Sequence, residues 1–431
     1  AKPPLNDSYF HQFYLQVNYG VLAVMAGRQE QVLGLVPQDL SSGSLGISNN
    51  ARPLPRVGIG IPKFTKVPYT KGFLEVKGFL SHGWFEEDRW VTNAWLHQKY
   101  GYLKIAASKP VSFTVGMVHH VQWGGTDAVR GDLPSGLSDF WRVFRAESAN
   151  QEADDIDNIQ PEVGNALGNH LGIYDLALDV ASKGHRFRAY HQVVWEDGSS
   201  SQLFLNEDGL TGLYYQPPED KPWWPSVTYE VLHTKVQSGP GTPDPRRNNL
   251  PNYGNRLGGR DDYYNNGVYR DGWTYYGRII GNALFFTADR AEEYFTDLED
   301  FDNLVVNNRI TAHHLGLSGR FSKRLAYRGL FTFARNFGTY TAQNNGRREW
   351  ASIEDPTYVY EFGDGLDQFY LMTELRWQPP FSSNWELMVA AAADFGDLGD
   401  NIGGLVGLRW QGFHLFQRAS PPTPPAAAPA E

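Results

Sequence analysis

Apolar and polar residues alternate with a period of two along most of the chain, a rhythm that predicts β-strands. From Leu325, one face reads Leu325, Tyr327, Gly329, Phe331 and Phe333, and the other Ala326, Arg328, Leu330, Thr332, Ala334 and Asn336. Three later runs repeat the pattern, with Phe369 to Trp377, Trp385 to Ala393 and Ile402 to Trp410 as their apolar faces. Alternation alone would also suit a soluble sandwich. Two features favour a membrane barrel. If the runs are antiparallel through "PPFSSN" and "GDLGDN", then Trp377, Trp385 and Trp410 meet at one rim on the apolar face, as membrane-interface aromatics do. In "IYDLALDVASKGHRFRAYHQVVW", a two-residue turn at Lys183-Gly184 pairs Asp179 with Arg188 and Asp175 with Gln192. A ladder of Asp175, Asp179, Arg186 and Arg188 then lines a wet lumen, while Tyr174, Leu176, Leu178 and Val180 face the other way.

The expected fold class is therefore all-β: a transmembrane outer-membrane β-barrel of antiparallel strands, with a short helical segment and long loops. Residues 1–416 form its single domain, and the Pro/Ala-rich stretch 417–431 is a disordered tail. Three loops are long and polar, at 238–273, 287–304 and 338–365. Counting strands back from Trp410 puts the last two opposite the Trp rim and 238–273 on the rim side, as a lumen plug or a long loop. A short helix is expected at 133–146, capped by Ser135 or Ser138, with Phe140, Val143 and Phe144 on one face.

Composition narrows the function. The 431 residues contain no Cys, which excludes disulfides, a thiolate metal site and a lipidated N-terminal Cys. A formal charge of −10 argues against a nucleic-acid partner. No stretch approaches the roughly 20 apolar residues of a membrane helix. The start Ala1-Lys2-Pro3-Pro4 suits a chain already cleaved by a signal peptidase.

The stretch "HGWFEEDRWVTNAWLHQKYGYL", residues 82–103, mixes large aromatics with charges at nearly every second position. On a strand, Glu86 and Asp88 would lie roughly 6.5–7 Å apart, a spacing that inverting glycosidases use. A turn there would remove that geometry, and pairing of these acids with Arg89 or Lys99 in the lumen is the simpler expectation. His119-His120 and His313-His314 place adjacent rings on opposite strand faces, so neither pair chelates a metal. No nucleophile elbow or phosphate loop is present. No metal, cofactor or catalytic residue is expected, and the chain reads as a binder.

What the residue types do suit is sugar: aromatic faces stack on pyranose rings, and carboxylates, Arg, Asn and His bond hydroxyls. The candidates are Trp84, Glu86, Asp88, Arg89, Trp95, His97, His119, Trp123, Arg260, Asp262, Tyr263, Tyr264, Tyr269 and Trp273.

Several long motifs, "HGWFEEDR", "LHQKYGYL", "GMVHHVQWGGT", "LPSGLSDFWRVF", "EDGSSSQLFLNEDGLTGLYY" and "YYNNGVYRDGWTYYGRIIGNALFF", occur in order and resemble the Wzi-type capsule assembly family. The resemblance runs from about residue 70 to 290. It implies a barrel of about eighteen strands, integral to the bacterial outer membrane, that acts as a lectin for exported capsular polysaccharide and helps attach or assemble the capsule. The expected partners are that polysaccharide and outer-membrane lipid, with an envelope-complex partner docking on the C-terminal tail. The family is not known as an enzyme. Two departures stand out: only one short helix is visible where enteric members carry more, and "NIGGLVGL" has the shape of a barrel-assembly signal but sits internally. The alternative function is a diffusion porin or substrate channel.

Overall fold

The computed structural model describes residues 9–147, 166–196, 207–221, 223–237, 261–291, 304–339, 362–382 and 384–411. Fifteen strands of one antiparallel sheet fall among them, each bonded to the next in chain order. They are β1 (Phe13–Tyr19), β2 (Leu22–Arg28), β3 (Pro55–Lys66), β4 (Leu74–Trp84), β5 (Trp95–Ile105), β6 (Val111–Trp123), β7 (Asn169–Ser182), β8 (His185–Trp195), β9 (Gly209–Gln216), β10 (Ser226–His233), β11 (Ile310–Ser322), β12 (Leu325–Asn336), β13 (Leu366–Trp377), β14 (Trp385–Gly396) and β15 (Asn401–Trp410). The four strands expected from Leu325 onward form with the expected faces. So does the hairpin at 183–184: Asp179 lies opposite Arg188 and Asp175 opposite Gln192. Lys183 and Gly184 both take positive φ, 49° and 83°, the type I′ geometry whose twist matches the flanking strands.

Strand ends sort into two rims. Tight or short connections, such as 183–184, 323–324 and 378–384, share one rim, and the long segments leave from the other. Outward positions are apolar and exposed, for example Val111, Phe113, Val115 and Met117 on β6 and Leu371 and Leu375 on β13. A soluble fold would not leave so broad an apolar face uncovered. At the short-turn rim Trp377, Trp385 and Trp410 all point outward and are exposed, with the rings of Trp385 and Trp410 6.3 Å apart.

The interior is filled. Segment 29–54, between β2 and β3, runs through the space enclosed by the sheet and bonds to inward side chains of strands far apart in the order. Gln98 on β5 donates to Gln31. The Leu35 N–H donates to Asp175 on β7 at 2.9 Å. Ser41 and Ser42 donate to Glu230 on β10 at 2.6–2.7 Å. His314 on β11 bonds the Leu40 carbonyl, and Arg328 on β12 the Asp39 carbonyl. One short segment reaches all these strands because the sheet curls around it. The described parts of the 234–309 connection pack against this segment, with Asn50 donating to the Ile279 carbonyl and Trp273 to the Gly46 carbonyl.

The reading of 238–273 at the Trp rim is corrected. Its described part, 261–273, enters from the long-loop rim and lies in the lumen. Among the described residues no strand crosses the barrel between it and β11; Thr274–Tyr275 pairs with Arg278–Ile279 in a small hairpin instead. Residues 238–260 and the tail 417–431 lie outside the described residues, as do most of 287–304 and 338–365.

Candidate functional site

The residues singled out from sequence divide into three places. Glu86, Asp88 and Arg89 lie in the β4–β5 loop at the long-loop rim. Asp262, Tyr263, Tyr264, Tyr269 and Trp273 lie within the lumen filling. Trp84, Trp95, His97, His119 and Trp123 belong to the outward face of β4, β5 and β6. Arg260 is outside the described residues.

The lumen group is buried. Each of the four aromatics is at most 2% exposed, and their polar atoms are used in packing. The Tyr263 hydroxyl donates to Asp208, Tyr269 to the Gly124 carbonyl, Tyr264 to the Leu45 carbonyl, and the Trp273 indole to Gly46. Asp262 accepts from Asn265 and Asn308. Burial holds the Tyr264 hydroxyl well above its ordinary range. Aromatic rings with Asn and Gly, which suit sugar recognition, suit equally a compact polar core inside a barrel, where each buried donor needs an acceptor.

The outward group forms a row. Register pairs Trp84 with Trp95 and Trp95 with Trp123. His119 stacks 5.4 Å from Trp195 and bonds His170 at 2.8 Å, and its neighbour His120 points inward onto Trp273. His313 and His314 divide in the same way, outward to Tyr229 and inward to Leu40. Lys99, expected in the lumen, faces outward and donates to the Phe144 carbonyl. The helix α1 (Leu137–Arg145) covers the Trp95, His97 and Trp123 part of this row and leaves Trp84 exposed. Its N-cap is Gly136, not a Ser, because the Asp139 carboxylate turns back to accept the Gly136 N–H at 2.8 Å.

At the rim 85–90 leave the strand and bend before the short strand Val91–Thr92, so the strand spacing of Glu86 and Asp88 does not arise. Arg89 ties it down. Its guanidinium donates to Glu86 at 3.1 Å and to the carbonyls of Thr274 and Gly272 at 2.7 and 3.1 Å. Burial raises the pKa of Glu86 above the ordinary carboxylate range, even against the pull of Arg89.

Around this rivet lies an open cleft of about 450 Å³ lined by Asp88, Arg89, Trp90, Thr92, Thr126, Ala128 and Asp271. Trp90 is fixed three ways: its N–H donates to Asp271 at 2.7 Å, its indole to Asp127 at 3.1 Å, and Arg270 sits 4.5 Å from the ring centre. The cleft thus offers an oriented aromatic ring, two carboxylates and two hydroxyls. Asp88 and Arg89 were legible in the sequence; Trp90, Thr92, Thr126 and Asp271 were not, because three chain segments meet there and no local pattern marks the meeting. A second cleft, of about 390 Å³, opens at the short-turn rim, where Glu374 accepts from Arg328 at 2.8 Å and Arg376 at 2.6 Å.

Asp127 anchors the floor of the first cleft. Burial alone would raise its pKa, but the N–H groups of Arg130 and Val129 and the Arg130 guanidinium prevail and hold it below the usual range. A depressed folded pKa stabilises above the unfolded value and is lost as pH falls through the folded one. Asp127→Asn is therefore expected to cost about 1.5–3 kcal/mol at pH 7. Urea unfolding in detergent should show the gap from the parent closing as the pH drops through the depressed value. A gap constant with pH would contradict this account.

Comparison with known proteins follows the same lines. The family model described as "Capsule assembly protein Wzi" matches residues 5–297. Among solved structures, the chain is similar to Wzi of Escherichia coli, described as an outer membrane protein involved in group 1 capsule assembly and a carbohydrate-binding β-barrel. That match has a TM-score of 0.53 at 13% identity and covers 92% of this chain and 68% of that one. OmpT of Vibrio cholerae, an outer membrane protein, matches with a TM-score of 0.33 at 8% identity over 94% of this chain and 81% of that one. No curated protein sequence matches.

Proposed function

The chain belongs to the Wzi capsule assembly family, and from that premise we propose that it is an integral outer-membrane barrel that binds surface polysaccharide and holds it during capsule assembly. The observation that carries this reading is the cleft at the long-loop rim, built on Trp90. A pyranose lays its C–H face on the indole, and its hydroxyls bond Asp88, Asp271, Thr92 and Thr126. Arg89, with its donors engaged by Glu86 and two backbone carbonyls, holds the cleft in shape. In this role the buried aromatics at 263–273 support the mouth from beneath, and Trp84, Trp95 and Trp123 serve the wall.

The rim with short turns faces the periplasm and the rim with long segments faces outward, as barrels of this class are built. The cleft then opens toward the medium, where exported polysaccharide is found. The chain acts by binding and carries no chemistry of its own.

The test is titration of the detergent-purified chain with capsular polysaccharide from its own host. Saturable binding supports the reading, and its absence overturns it. The filled lumen speaks against a diffusion porin. In a planar bilayer the parent chain is expected to show a closed baseline, and steady ion conductance would move the assignment to a channel.

A further inference from the structure

A rim helix of a soluble protein would turn its apolar side inward and its charges to water. Helix α1 does this on one side only. Val143 is fully buried against Val121, Trp123 and Leu167, and Phe140 packs beside them. The His97 ring lies 5.4 Å from Phe140 and 5.5 Å from Phe144, and Lys99 caps the helix by donating to the Phe144 carbonyl. On another side Leu137 and Trp141, one turn apart, stand 77% and 48% exposed. The charges nearby are already matched, Arg142 to Asp139 and Arg145 to Glu147.

The helix lies on the outer wall of the barrel, because the residues beneath it, His97, His119, Val121 and Trp123, continue the outward face of β5 and β6. Further down that same face of β6 come Met117, Val115, Phe113 and Val111, the exposed apolar belt. From Val111 to Trp123, twelve steps of about 3.3 Å on a strand tilted about 40° rise about 30 Å. That places α1 at the upper border of a hydrocarbon core entered from the short-turn rim. Trp84, exposed at the same level, and Trp95 complete a second aromatic row opposite Trp377, Trp385 and Trp410.

We propose that α1 is an interfacial helix of the membrane, lying in the plane of the outer leaflet with Leu137 and Trp141 seated at the boundary between headgroups and acyl chains. It extends the lipid-facing wall where Trp95 and Trp123 turn under it, and it fixes the height of the barrel so that the Trp90 cleft stands just above the lipid. Paired charges along its polar side and Trp at its apolar side are what such a position requires. The proposal rests on the reading of the sheet as a membrane barrel and is independent of sugar binding.

The chain has no Cys, so single cysteines report one place each. Leu137→Cys and Trp141→Cys would carry an environment-sensitive fluorophore, with Val115→Cys in the belt and the exposed Val129→Cys above the helix as references. The labelled full chains are reconstituted in phosphatidylcholine vesicles with and without brominated acyl chains. Emission from 137 and 141 is expected to be blue-shifted and to fall about twofold with brominated lipid, as a shallow interfacial position predicts, with 115 also quenched and 129 not. Water-like emission at 137 and 141, matching 129, overturns the proposal. So does a blue shift without quenching, which marks another protein copy covering the helix. Loss of quenching at 115 as well would overturn the membrane reading itself, whereas quenching at 115 alone removes only the helix from the lipid.

Discussion

Replacing Glu230 by Ala is expected to loosen the lumen filling and convert a closed barrel into a conducting one. Glu230 points inward from β10 and is fully buried. It accepts from the Ser41 hydroxyl, the Ser42 N–H and hydroxyl, and the Tyr190 hydroxyl, all at 2.5–2.7 Å. Its removal strands four donors in the interior at once, and each orphaned group costs about 1–3 kcal/mol if nothing replaces it. Relaxation and water entry recover part of this, so a net loss on the order of 3–5 kcal/mol is expected, concentrated on segment 29–54 rather than on the strands. The strands keep their backbone ladder, so the barrel itself survives. Two measurements check this: single-channel recording, where the variant should show steady conductance steps above the parent's closed baseline, and proteolysis within 29–54, which should accelerate. An unchanged baseline with unchanged protease resistance would mean that other anchors, such as Asp175 to the Leu35 N–H, hold the segment alone.

The second large effect concerns the cleft. Trp90→Ala combined with Asp88→Asn is expected to weaken polysaccharide binding at least about tenfold, equivalent to about 1.4 kcal/mol. The Trp contributes stacking area and the Asp a charge-assisted bond to a hydroxyl. Asp88 is exposed and Trp90 half-buried, and Arg89 keeps its bonds to Glu86, Gly272 and Thr274 and Asp127 its bonds to Val129 and Arg130, so the rim should stay assembled. Retention of full affinity in a folded double variant would place the binding surface elsewhere on the long-loop rim. Trp273→Ala makes a useful contrast. It should disturb the filling by deleting a buried indole and its bond to Gly46, and change affinity only through the floor of the cleft.

The sequence alone determined the strand character and faces of the last four strands and of the 183–184 hairpin. A strand's side chains alternate strictly, and each face of this barrel meets a different medium, so lipid and lumen are written into successive residues. The Asp179–Arg188 pair, the Lys183-Gly184 turn, the Trp377–Trp385–Trp410 rim and the opposite faces of His119 and His120 were all legible for that reason. The helix was legible too, although its cap was not, since Gly136 is capped from Asp139 one turn later. Tertiary structure decided everything that depends on which segments share the interior. Tyr263, Tyr264, Tyr269 and Trp273 carry the residue types of a sugar site, but their donors are used inside the barrel, those of Tyr264 and Trp273 by segment 29–54 and those of Tyr263 and Tyr269 by Asp208 and the Gly124 carbonyl. Trp84, Trp95 and Trp123 likewise look like ligands in a mixed stretch, and only the register of β4, β5 and β6 shows them as one row on the outer wall. The cleft itself joins residues 88–92, 126–128 and 271, nearly two hundred positions apart. Periodicity records the environment of each residue along its own strand, and it carries no information about which distant segment will fill the space that the strands enclose.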